Sequence, residues 1–163
     1  MTTPTHILTG AVIAKLSMDF GLVPNIPGLI YPLGILTANI PDIDVLFIKF
    51  PNNHRASIFH VPLLWALTLT ITYLAASFFD MPLLANSIIM AGISILSHFF
   101  LDSFDMSTGI AWFAPLDKTF FSILPRLPRP ITKRAYIRAY LKHSVMIAEG
   151  VVVLSGIIAF WKL

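Results

Sequence analysis

There is no cysteine in this chain, which excludes disulfides and thiolate metal sites. Charge is scarce as well: 12% of the 163 residues are Asp, Glu, Lys or Arg, about half the share of an ordinary soluble domain. With 56% hydrophobic residues and a mean hydropathy of +0.81, so little charge argues against a water-soluble globule and for a bilayer as solvent. The N-terminal "MTTPTHILTG" has neither a basic region nor a small-residue cleavage site, so no removable signal peptide is expected. Internal repeats and low-complexity tracts are absent too. The length suits one domain over 1–163.

What is present is a set of long apolar runs. Residues 60–79, 83–101 and 145–161 each approach the ~20 residues that cross a hydrocarbon core. Only "DMP" separates the first two, which predicts a tight helix hairpin. Before them, "HILTGAVIAKLSMDFGL" has a helical pattern interrupted by Lys15 and Asp19, four apart and able to pair on one face. "VPNIPG" breaks the chain, and "LIYPLGILTANI" follows as a short apolar helix containing Pro32. Within the more polar 103–144, "ITKRAYIRAYLKH" spaces Arg134, Arg138 and Lys142 by four and sets Tyr136, Ile137, Tyr140 and Leu141 on another face. Such a basic amphipathic helix tends to lie on an anionic membrane surface. The expected fold is an all-α, polytopic transmembrane bundle of about five membrane helices plus this interfacial one. Trp65, Trp112 and Trp161 read as interface anchors, and Gly92, Gly150 and Gly156 as easing helix contacts.

Tracing the crossings puts the loops 41–59 and 103–144 on one side. Those loops carry every lysine and arginine except Lys15 and Lys162, so the positive-inside rule makes that side the cytoplasm. The same trace brings His6, Asp42, Asp44, His54, His60, His98 and Asp102 to that face, from five segments of the chain. Histidines and carboxylates without cysteine suit a divalent ion such as zinc, manganese or iron. His98 and Asp102 are four apart and can reach one ion from one helix. In "PDID", at a proline-marked break, one carboxylate can bind while the other bridges or orients a histidine. Arg55, between His54 and His60, is suited to gripping a phosphate or carboxylate. Glu149, about one turn into the last run, would be expensive unpaired in hydrocarbon. It either faces the site as a ligand or proton carrier, or pairs with Lys15 or a backbone group inside the bundle.

The order "HILTG", "PDID", "HR" with a second histidine after it, "SHFFLD" and "STGIAWFAPL" resembles the YdjM/YbcI-type family of inner-membrane metal-dependent hydrolases, over roughly residues 4–118. That family is thought to be related to zinc-dependent phospholipases C. The resemblance implies a multi-pass protein of the bacterial inner membrane, with His6, Asp42 or Asp44, His54, His60, His98 and Asp102 as ligands. Val61 follows His60 where the family commonly has serine, and only Glu149 is available as a counterpart of the later ligands of the soluble phospholipases. One or two ions, zinc first, are therefore expected rather than three.

The function expected is hydrolysis of a phosphoester of the lipid-headgroup kind. Arg55 or Lys118 would neutralise the phosphate, and Asp44 or Asp105 would take a proton. Membrane lipids are the expected partners, and no nucleic acid is expected. The alternatives are a non-enzymatic membrane protein with a structural metal site or an ion path, and an anchor that recruits a partner through its basic loop. Residues 63–79 and 83–97 offer only Ser, Thr, Tyr and Asn as polar side chains, which argues against an ion path.

Overall fold

The protein's computed structural model describes residues 2–48, 54–106, 108–127 and 132–162. Its regular structure is helical: α1 (Thr3–Asp19), α2 (Pro27–Asn39), α3 (Pro62–Phe78), α4 (Pro82–Asp102), α5 (Lys133–Lys142) and α6 (Ser144–Lys162). Among the described residues there is no strand, only an isolated antiparallel bridge between Ile110 and Phe121. Short 3-10 segments, Ile40–Leu46, His54–Ala56 and Ile58–His60, join α2 to α3.

Proline sets the starts. Each of α1 to α4 has a proline at one of its first two positions, where the missing N–H is no loss and φ is already helical. The end of α1 is set by Gly21, at φ +70°, a left-handed position that glycine adopts without penalty. Asp80, at φ +53°, makes the tight connection between α3 and α4. Pro41 follows α2 closely, and the chain tightens into the 3-10 segment that carries "PDID".

Among the described residues, three segments are long and apolar enough to cross a membrane: Pro27–Leu46, Pro82–Asp102 and Ser144–Trp161. α3 is apolar but shorter, at 17 residues. α1 is interrupted by Lys15 and Asp19, which pair at 3.0 Å as their spacing predicts. Because that pair is partly open to solvent, Lys15→Ala should change thermal stability by no more than about 0.5 kcal/mol. The bundle displays apolar side chains outward: Leu36, Leu67, Ile147 and Leu154 are all more than half exposed. A lipid environment accounts for that, since a soluble monomer rarely exposes so much.

The tightest packing is between α1 and α2. A Cβ added at Gly10 would lie 2.5 Å from the Gly34 carbonyl oxygen, and one at Gly34 would lie 2.6 Å from that of Gly10. Ala14 and Ala38 follow one turn later, so each helix presents a small-xxx-small pair at the crossing. α2 and α1 also pack on α4, α6 packs on α1, and α3 packs on α4. Of the three glycines expected to ease helix contacts, Gly156 does so against Leu8 and Gly92 only loosely against Leu69. Gly150 has nothing within 4 Å and plays no such part. Trp161 is exposed, whereas Trp112 is half-buried and donates to Ser103 Oγ at 3.0 Å.

Candidate metal centre

Four helix ends meet at one end of the bundle: the start of α1, the end of α2 with its 3-10 extension, the start of α3 and the end of α4. His6, Asp42, His60, His98 and Asp102 sit at those ends. Asp42, His60, His98 and Asp102 each offer a ligand atom, and these atoms all lie within 4.8 Å of one another. His60 Nε2 is 3.3 Å from Asp42 Oδ1 and 3.9 Å from Asp102 Oδ2. His98 Nε2 is 3.7 Å from each of the same two oxygens. A tetrahedral ion with bonds of about 2.1 Å has ligand–ligand edges of roughly 3.4 Å, and the four imidazole–carboxylate separations, 3.3 to 3.9 Å, come near that value.

Each imidazole is aimed by its other nitrogen. His98 Nδ1 donates to the Ala38 carbonyl at 2.8 Å. A carbonyl can only accept, so that nitrogen carries the proton and Nε2 turns a lone pair toward the carboxylates. Among the described residues, this fully buried Nε2 has no hydrogen-bond partner. A lone pair so placed can take a proton, a water or a divalent ion. His60 Nδ1 donates to Asp44 at 3.0 Å, and Ser57 Oγ donates to the same carboxylate. The two acids of "PDID" thus divide as the spacing allows: Asp42 faces the centre, and Asp44 orients a histidine. Asp42 is the more open member, with 19% of its side chain exposed, whereas Asp102 is fully buried.

Asp102 is held from two more directions. Arg55 Nε donates to its Oδ2 at 2.6 Å, and His6 Nε2 lies 3.3 Å from its Oδ1. His6 also stacks on His98, with centroids 4.0 Å apart and planes 25° from parallel. It stands beside the four rather than among them. Arg55 is buried and reaches Asp105 at 2.9 Å as well. Burial works against its charge, but the carboxylates of Asp102 and Asp105 more than offset that and raise its pKa above the ordinary value. Asp105 in turn accepts the Thr108 amide at 2.9 Å.

The other expected site residues are elsewhere. Glu149 accepts from the Thr2 amide at 2.9 Å and from the hydroxyls of Thr2 and Thr5. It therefore sits on the N-terminus of α1, where the helix dipole favours an anion, and not on the four-residue group. This matches pairing with a backbone group, while Lys15 is taken by Asp19. Lys118 is exposed on the connection after α4. His54 opens a 3-10 turn, and its side chain lies outside the described residues. Sequence reasoning missed the Ala38 carbonyl and Ser57 as aiming groups. Backbone carbonyls carry no residue-type signal, although "HRAS" did place a hydroxyl near the histidines.

A profile of the YdjM inner membrane protein family matches residues 1–163. The chain belongs to that family. Comparisons with curated proteins and with solved structures each return no match. YdjM membership covers the whole chain, beyond the 4–118 that carried the motif resemblance. It places the chain in an inner-membrane family, and the three candidate spans fit a multi-pass arrangement.

Proposed function

We propose that this chain is an integral-membrane, metal-dependent hydrolase of phosphoesters, acting on lipid-like substrates at the cytoplasmic membrane face. One observation carries the reading: two aimed imidazoles and two carboxylates converge with their donor atoms within 4.8 Å of one another, and the His98 lone pair among them has no hydrogen-bond partner among the described residues. The donor set suits one zinc ion, with manganese or iron as alternatives. A bound divalent ion would supply Lewis acidity, activating water and stabilising charge on a phosphoryl oxygen. The chain's own residues supply the frame. Ala38 and Asp44 hold the imidazoles in one tautomer, Arg55 holds Asp102, and Asp42 lines the side open to substrate. Asp44 and Asp105 are both engaged in hydrogen bonds, so they act here as positioning residues. The cytoplasmic assignment rests on the basic loops around the site, including Lys118 and the cationic α5.

The test is metal analysis of the purified full chain, paired with a screen of phosphodiester and phosphomonoester substrates. About one divalent ion per chain is expected, with turnover of at least one phosphoester. His98→Ala and Asp42→Ala should lose both, and His143→Ala neither, because His143 bonds the Pro125 carbonyl away from the centre. Asp44→Ala should keep the ligands but weaken metal affinity about 10- to 100-fold, as loss of an orienting partner does. Wild-type protein without bound divalent metal, or His98→Ala that retains it, would sink the reading. Bound metal with no turnover across the screen would leave a structural site instead.

A further inference from the structure

The short helix α5 has two unlike sides. Tyr136, Ala139 and Tyr140 are half-buried. Arg134, Ile137, Arg138, Leu141 and Lys142 are exposed, Ile137 and Leu141 by more than half. At about 100° per residue these five share an arc of about 140°, with the two aliphatic side chains on one flank and the three cations on the other. α5 contains no acid, and among the described residues none of the three cations has a carboxylate partner.

The fold fixes where this face lies. α6, a candidate membrane span, begins at Ser144, so His143 alone separates it from α5. The extended backbone of His143, with φ −90° and ψ 150°, ends α5, so the two do not continue as one helix. An exposed helix one residue from a span, with aliphatic side chains beside cations, has the make-up of an interfacial helix. Such a helix sinks its apolar side about 5–10 Å into the headgroup boundary and keeps its cations level with the phosphates. The metal centre is at the same end of the bundle. Glu149, in the second turn of α6, bonds Thr2 and Thr5 next to His6. Tyr136, on the inner side of α5, is close enough to Arg55 to bear on its charge. His143 Nε2 donates to the Pro125 carbonyl at 2.9 Å, which ties the joint between the helices to the segment that follows α4.

We propose that the exposed face of α5 binds anionic phospholipid headgroups and gathers them beside the metal centre, so that the centre acts on anionic rather than zwitterionic phospholipid. The inference rests on the phosphoester reading above and names the charge of its substrate. Two features decide the occupant. Each cation held at an anionic membrane surface favours the anionic lipid about fivefold. A nucleic acid would engage the cations and leave Ile137 and Leu141 in water, whereas a lipid surface takes up both, and the adjoining span keeps it within reach.

The chain has no cysteine, so Ala135→Cys gives a single attachment point for a fluorophore on the exposed part of α5. The labelled full chain would be reconstituted in mixed phosphatidylglycerol–phosphatidylcholine vesicles in which one or the other lipid carries brominated acyl chains, and local lipid affinity read from quenching. A preference for phosphatidylglycerol of about fivefold or more is expected, falling with added salt. Arg134→Gln, Arg138→Gln and Lys142→Gln combined should bring the ratio close to one with bound metal unchanged, whereas Arg134→Lys with Arg138→Lys should keep it. In the same vesicles KM should be lower for phosphatidylglycerol than for phosphatidylcholine, and the glutamine variant should close that gap. A ratio near one in wild type, or a ratio that the glutamine variant leaves unchanged, would overturn the docking face. Wild-type binding of an oligonucleotide or an acidic peptide, with no lipid preference, would give the face to a soluble partner and equally overturn it. Equal KM for the two lipids beside a preserved quenching ratio would overturn the substrate assignment. Failure of the hydrolase reading is separate: the quenching ratio would persist while metal or turnover is missing in wild type.

Discussion

Asp102→Ala should destabilise the fold by about 3 kcal/mol, at the lower end of the 3–5 kcal/mol range for a broken buried ion pair, and abolish metal binding. The reason lies in what surrounds this one carboxylate. Its Oδ2 accepts from Arg55 Nε at 2.6 Å, and its Oδ1 faces His6 at 3.3 Å, all fully or almost fully buried. Removing it leaves a buried guanidinium with a charge that burial alone disfavours. Asp105, at 2.9 Å from Arg55, continues to compensate part of that charge, which is why the lower end is expected. Asp102→Asn keeps an acceptor for Arg55, so it should lose metal with a smaller loss of stability. Thermal unfolding in detergent with parallel metal analysis checks both. Equal stability of Asp102→Ala and wild type would mean that the Arg55 pair does not hold this end of the bundle together.

Gly34→Val should lower stability by about 3 kcal/mol, the upper end of the usual cost of overpacking, and disable a metal centre that it does not touch. The new Cβ would fall 2.6 Å from the Gly10 carbonyl oxygen and 2.8 Å from Ala14 Cβ, so α1 and α2 must move apart. That crossing sets the site. Ala38, one turn beyond Gly34, provides the carbonyl that fixes His98, and Asp42 follows after another turn. His6 lies one turn before Gly10 on α1. Gly150→Ala is the control, with nothing within 4 Å of its Cβ. It should keep full metal occupancy and gain up to about 1 kcal/mol from helix propensity. If Gly34→Val binds metal as wild type does, the crossing is not what positions the ligands.

Much of this arrangement was legible in the sequence. The apolar runs 60–79, 83–101 and 145–161 fall within two residues of α3, α4 and α6, because uninterrupted hydropathy bounded by proline is a strong local signal. The convergence of histidines and aspartates followed from alternating the direction of successive helices, which fixes which ends meet. What could not be read were pairings decided only by packing. Arg55 next to histidines looked like a hand for phosphate, yet it is spent on Asp102 and Asp105, which lie far along the chain. Glu149 finds Thr2 and Thr5 across almost the whole length of the chain, and nothing near it in sequence announces that. Gly10 and Gly34 each stand four residues before an alanine, a visible pattern, but their backbone contact depends on the angle at which two helices cross.

The hydrogen bond from His98 to Ala38 closes a gap of 60 residues, and this gives the centre a place in time. A ribosome adding roughly 5–20 residues per second needs about 3–12 seconds to pass from Ala38 to His98. Through nearly all of that interval His6 and Asp42 are already made, and the helix that completes their surroundings is not. The nascent α1–α2 hairpin must wait in or at the bilayer, held by its glycine crossing, until α4 arrives. The surroundings of the cluster are therefore completed late, after more than half of the chain has been made.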